Sequence, residues 1–170
     1  EVDLADTEVV RRGPGGPRTL ADASQLQVPG RFQRLNLAVA LAAAAELGAD
    51  AERLGACVPE LRGLGHRMES LGWVPVDAGE VHVIDNGVST TPDSTLAALG
   101  AVDGEVTLLV GGQPKRDLSF EELVAQVARR KARVVTFGAA GKALLETFAG
   151  AGAEVRYVDQ VPSAAVEALR

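Results

Sequence analysis

Residues 83–102 read VIDNGVSTTPDSTLAALGAV: an apolar strand, a run of small polar residues, then a helix-forming segment. From Asp85 to Asp93, seven of nine residues are polar or Gly, just where an apolar strand ends. In an open α/β sheet, the carboxyl end of a strand and the amino end of the next helix form the rim at which ligands bind. The stretch therefore reads as strand, crevice loop and helix. Asn86, Ser89, Thr90 and Thr91 lie on the loop, and Asp93 or Ser94 is placed to cap the helix.

The same unit recurs downstream. Apolar segments at 81–85, 106–110, 133–137 and 155–158 alternate with helical segments near 93–101, 120–130, 141–149 and 163–169. Val106 to Val110 shows little polar alternation, as a parallel strand covered on both faces does. Repeated βα units predict an α/β fold: a doubly wound, Rossmann-like, mostly parallel sheet flanked by helices, with four strands side by side in one direction. Just before it, residues 67–85 predict a hairpin turning at Asp77-Ala78-Gly79.

The first 30 residues read as extended chain, with RRGPGGPR (11–18) as a loop joining strands. Helix formers then fill Phe32 to Leu47, between Pro29-Gly30 and Gly48. That helix is apolar on most sides, which predicts burial. Asp50 is placed to cap a second helix carrying Leu54, Cys57, Val58 and Leu61. The pattern changes at Gly63 to Gly65, dividing the chain into 1–64 and 65–170. Residues 1–64 are not expected to complete a sheet of their own. Their apolar strands and the 32–47 helix are expected to dock on the second region or on another copy of the chain.

A chain of 170 residues, 46% hydrophobic and 24% charged, can bury its own core. The net charge of −6 argues against a general nucleic-acid binder, which needs excess Lys and Arg to neutralise phosphates. With one cysteine there is no internal disulfide, and no His/Cys cluster has zinc spacing. Cys57 reads as core, since no base is visible beside it. EVDLADTEVV holds no basic apolar leader, and nowhere do about 18 apolar residues run together. The expectation is a cytoplasmic protein with no membrane partner, and the missing initiator Met suggests a piece of a longer chain.

Two glycine-rich stretches leave strands. TFGAAGK (136–142) lacks the triphosphate-binding spacing G-x-x-x-x-G-K-[ST], because Thr136 stands five before Gly141 and Ala143 follows Lys142. Its glycines read as tight passage from strand to helix. In LLVGGQPK (108–115), Gly111 and Gly112 allow close backbone approach, and Lys115 sets a positive charge at the sheet edge. His66 reads as a surface residue and His82, on a strand, as structural.

Four blocks follow one another: G-x-F-Q-x-x-N-x-x-x-A from Gly30, HRME at 66–69, DNGVSTTPDSTLAAL at 85–99 and LLVGGQPK at 108–115. This order resembles the Mur ligases, and within them the D-glutamate-adding enzymes, over most of residues 20–160. The resemblance implies an ATP-dependent ligase of peptidoglycan synthesis that joins D-glutamate to UDP-N-acetylmuramoyl-L-alanine through an acyl phosphate. Mg2+ and cationic side chains would stabilise the developing charge. Residues 1–64 would then be the tail of the central ATPase domain. Residues 65–170 would be the C-terminal domain without its last strand and helix, and such a piece is expected to be inactive alone.

The resemblance also implies site residues. Asn36 matches an asparagine near the adenine, and Gln33 stands where a second asparagine is usual, an amide for an amide. Arg67 matches an arginine that contacts ribose or phosphates. Asn86 stands where the family has a ribose-binding aspartate, and Asp85 substitutes for that carboxylate only if the strand ends in a bulge. Thr90 and Lys115 match residues that hold the D-glutamate carboxylates. Val88 replaces a lysine near the reacting phosphate and can neither donate a hydrogen bond nor hold a charge. That departure leaves open a ligase of different specificity, such as L-glutamate, or a catalytically silent ligase-like module that binds a partner through the crevice. No catalytic residue and no metal ligand is assigned within this chain.

Overall fold

The computed structural model describes residues 2–5, 7–113 and 118–170. The chain divides into two units, one up to Glu69 and one from Ser70 to Arg170. Among the described residues, no helix is long and apolar enough to cross a membrane.

In the first unit, β1 (Val2–Ala5), β2 (Glu8–Gly13) and β3 (Gly16–Asp22) form an antiparallel sheet in that order. This corrects the expectation that these residues cannot complete a sheet. The reason lies in RRGPGGPR, most of which is ladder rather than loop: Arg11 pairs with Arg18 and Arg12 with Pro17, so only Pro14 and Gly15 lie outside the strands. β3 has one partner, and an edge strand tolerates a proline that lacks its N–H.

Val9, Leu20 and Ala21 of this sheet share a core with Ala23, Leu37, Ala38, Leu41 and Val58. Helix α1 (Arg31–Glu46) contributes the stripe Leu37, Ala38 and Leu41. Val39 on another side is 71% exposed, so the helix is buried on one side and not on most, as its composition had suggested. Helix α2 (Ala51–Cys57) begins on Asp50, whose carboxylate accepts the Arg53 N–H at 3.1 Å, the cap expected from its position. Cys57 is half-buried rather than fully in the core, and its thiol donates to the Leu54 carbonyl.

The second unit holds the hairpin of β4 (Glu69–Val76) and β5 (Gly79–Asp85), linked by Asp77 and Ala78, too short a link for anything but antiparallel pairing. Helix α3 (Pro92–Leu99) follows. Then β6 (Thr107–Gly111), α4 (Glu121–Arg130), β7 (Arg133–Phe137), α5 (Gly138–Gly150), β8 (Val155–Val158) and α6 (Val161–Ala168) alternate. β6, β7 and β8 form a parallel sheet in that order. α5 and α6 each pack on all three strands, and α3 packs on α4.

Central strand β7 is covered on both faces, with Val134, Val135 and Thr136 buried in succession. β6, for which the run Val106 to Val110 predicts the same, is instead only half-buried, with Leu109 37% exposed, because it has β7 as its one strand partner among the described residues. The parallel sheet has three strands, however, and not four. β5 belongs to the separate two-stranded sheet, because its two-residue turn makes β4 its immediate partner. Residues 79–82 of β5 are exposed, unlike the interior of β7.

The glycines of the strand exits serve packing. A Cβ on Gly111 would lie 2.2 Å from the Phe137 carbonyl oxygen, and one on Gly141 would lie 2.7 Å from the Tyr157 ring. Gly138 has φ +71°, a left-handed turn from β7 into α5. TFGAAGK is thus the tight strand-to-helix passage that its spacing indicated.

Phe148 is fully buried with Leu123, Val127, Val134 and Leu144. Phe148→Ala is expected to cost about 3–5 kcal/mol of stability by urea denaturation. Val166→Ala, at a residue 55% exposed, serves as the control and should stay within about 0.5 kcal/mol. Equal losses would place the core elsewhere.

Candidate functional site

The polar run after β5 is a braced loop. Asp85 Oδ1 accepts the Gly87 N–H at 2.8 Å, the Ser89 N–H donates to the Asn86 carbonyl at 2.9 Å, and Asn86 Nδ2 donates to Ser89 Oγ. Small polar side chains that bond their own following backbone make such turns cheap. The Asp85 carboxylate is turned onto this loop.

The helix that follows is capped by Thr91, not by Asp93 or Ser94. Thr91 is extended, its Oγ1 accepts the Ser94 N–H at 3.3 Å, and Ser94 Oγ accepts the Thr91 N–H at 3.2 Å. This is a reciprocal capping box with Ser in the place usually held by Glu or Gln. Pro92 occupies the first helical position, where a missing N–H costs nothing. Thr-Pro ahead of a helix-forming segment is the sequence signal for this cap, Thr at the cap and Pro at the first helical position. Along this loop Asn86 is half-buried, while Val88 and Thr90 are exposed.

Three of the candidate residues belong to the first unit. Gln33 and Asn36 lie one turn apart on α1, and Asn36 Nδ2 donates to Gln33 Oε1 at 3.2 Å. The bond holds the two amides side by side, with Gln33 Nε2 a donor and Asn36 Oδ1 an acceptor of the kind a base edge pairs with. Arg67 is exposed and stands between His66 and Met68, which have φ +60° and +51°. Left-handed backbone at non-glycine residues is uncommon and needs local support. Here Met68 is buried, the His66 N–H donates to Glu69 Oε2 at 2.8 Å and the Arg67 N–H to the Leu64 carbonyl at 3.2 Å. The turn presents Arg67 at the surface, and His66 is exposed beside it as expected.

In the second unit, the exit from β6 is tied to the start of α5: the Ala140 N–H donates to the Gly112 carbonyl at 3.0 Å, with Gly112 at φ +110°. Lys115, further along this exit, lies outside the described residues. His82 is structural, stacked on Trp73 with ring centres 4.7 Å apart and bonded to Ser70 Oγ at 2.8 Å. At β8, Lys142 Nζ sits 5.8 Å from the Tyr157 ring centre, and the Tyr157 hydroxyl donates to Asp159 at 3.0 Å. That hydrogen bond, with some burial, pushes the phenol above its usual range. An open hollow between the start of α4 and Thr147, lined by Leu118, Phe120 and Val124 among others, includes none of the candidate residues.

The structure thus brings Gln33 together with Asn36, and sets Asn86 and Thr90 on one braced loop. No family model matches the chain. Over 142 residues, 81% of the chain, it is 37% identical to the UDP-N-acetylmuramoyl-L-alanine--L-glutamate ligase of Xanthomonas euvesicatoria pv. vesicatoria (strain 85-10), covering 29% of that protein. It is 32% identical to the UDP-N-acetylmuramoylalanine--D-glutamate ligase of Synechococcus sp. (strain CC9902) over 83% of the chain and 29% of that protein. Among solved structures, the UDP-N-acetylmuramate-alanine ligase MurC of Thermotoga maritima shares the fold, with a TM-score of 0.60 and 20% identity over 86% of this chain and 35% of that one. Spanning about three tenths of the length of these curated relatives, the chain belongs to the Mur ligase family.

Proposed function

We propose that the whole protein of which this chain is a part is a cytoplasmic, ATP-dependent ligase that adds glutamate to UDP-N-acetylmuramoyl-L-alanine in peptidoglycan synthesis. One observation carries this reading: two relatives above 30% identity, though named for opposite enantiomers, share both the acceptor and glutamate. In this reading residues 1–64 are the tail of the central ATPase domain and residues 65–170 most of the C-terminal one. With no G-x-x-x-x-G-K-[ST] loop in its sequence, the chain alone does not turn over ATP.

When bound, ATP with Mg2+ supplies activation of the acceptor carboxylate toward the amine of glutamate. The chain's own residues bind and orient. The paired amides of Gln33 and Asn36 suit the adenine edge, and their mutual hydrogen bond supports this by fixing both before a ligand arrives. Arg67, exposed on its turn, offers a fork to ribose or phosphate oxygens. Asn86 accepts from a ribose hydroxyl without the charge of an aspartate. Thr90 donates to a glutamate carboxylate, and Lys115 is the cation paired with it. No residue here is assigned to Mg2+.

The motif blocks point to D-glutamate. L-glutamate is the second reading, favoured by the higher identity to the L-glutamate ligase, 37% against 32%, and by Val88, which removes the usual lysine. ADP release by the full-length protein with the UDP precursor is expected to require glutamate and to favour one enantiomer at least about tenfold. A preference for L replaces the first reading by the second, and release indifferent to both rejects glutamate altogether.

Self-association through residues 1–64 is supported by the apolar side chains of Leu35 and Val39 exposed on α1. Sedimentation of the chain at rising concentration should show mass increasing, and a constant monomer mass sets this aside.

A further inference from the structure

We propose that Arg130 is a positioning residue for the 85–91 loop, an inference that rests on the glutamate-binding role proposed for that loop. Basic residues at a helix C-terminus ordinarily serve their own helix. Arg129 does so, donating to Gln126 Oε1 one turn back. Arg130, the last residue of α4, reaches away instead. Its Nη1 donates to the carbonyls of Leu99 and Val102, the latter at 2.8 Å, and its Nη2 donates to that of Gly104 at 2.8 Å. One planar fork therefore holds the last residue of α3 and the turn that leads on to β6.

Both ends of this clip are anchored. On the α4 side, Lys131 turns the chain at φ +52° into buried Ala132 and then β7, the central strand. On the α3 side, Leu99 is 2% exposed and shares a core with Leu123 and Val127 of α4. α3 is eight residues, a rod of about 12 Å with no interior Gly or Pro. A shift at its clipped end is carried to its capped end. There the Thr91–Ser94 capping box and the Asn86–Ser89 turn pass it on to Thr90. Displacements of about 1 Å in a binding group are enough to lose much of its contribution to turnover.

The test uses the full-length protein with Arg130→Gln and Arg130→Lys. The KM for glutamate is expected to rise about tenfold, while those for ATP and the UDP precursor stay within about twofold. Amide exchange across 85–91 should quicken before any ligand is added. Lysine should restore only part of the loss, since one ammonium nitrogen cannot reach Leu99, Val102 and Gly104 together. If the Arg130 variants fail to fold, Gly104→Ala strains the same turn at φ +78° with no steric clash, and the same selective rise should appear in weaker form.

A role confined to stability lowers the active fraction, so that kcat falls while all three KM values hold. That result, with unchanged exchange at 85–91, overturns the inference alone. A wild-type protein with no glutamate-dependent turnover rejects the proposed function and this inference together.

Discussion

The parallel ladder from Thr107 and Arg133 to Gly111 and Phe137 ends so tightly that Gly111 has no space for a side chain against the Phe137 carbonyl. Everything at the exits of β6 and β7 follows from that closeness. Gly112 and Gly138 must turn at once in left-handed conformations, and the Ala140 N–H then bonds the Gly112 carbonyl. The β6 exit is thereby joined to the first turn of α5, and α5 lies close enough that Gly141 meets the Tyr157 ring. The glycines thus fix where the LLVGGQPK segment leaves the sheet.

A second constraint governs the polar loop. Asp85, Asn86, Ser89, Thr91 and Ser94 form hydrogen bonds with one another and with nearby backbone, which makes 85–94 a preformed turn and cap. The residues assigned to ligands, Thr90 above all, are carried on this frame. Of the nucleotide-facing candidates, Asn86 belongs to this loop and the other three lie in the other unit, where Gln33 and Asn36 are aligned by their own hydrogen bond and Arg67 stands on a strained turn. Preforming such groups lowers the entropy lost when a ligand is bound.

Local patterns were legible in the sequence and non-local pairings were not. The apolar run of β7, the Asp50 cap and the Asp77-Ala78 turn each depend on neighbours in the chain, and each was read correctly. The β5 strand was placed in the parallel sheet because its composition suits one. The turn at Asp77-Ala78-Gly79 predicts β4 as its partner, but composition does not say that this pairing keeps β5 out of the parallel sheet. In α1, alanine leaves so weak a stripe that Leu37 and Leu41, which are buried, look no different from exposed Val39. Pro17 was read as loop because the ladder that continues through it is an edge. Arg130 had no signature at all, since its acceptors are backbone carbonyls 26 to 31 residues away. Asn36, Arg67 and Thr90 are proposed from the order of motifs, not from their surroundings.

The central claim is that the loop after β5 receives glutamate through Thr90. Thr90→Ala in the full-length protein addresses it most directly, because the change removes a hydroxyl and spares the Thr91 cap. Loss of one hydrogen bond to a carboxylate, about 1.5 kcal/mol, should raise the KM for glutamate about tenfold and leave the KM for ATP unchanged. A glutamate KM equal to that of the wild type would contradict the account.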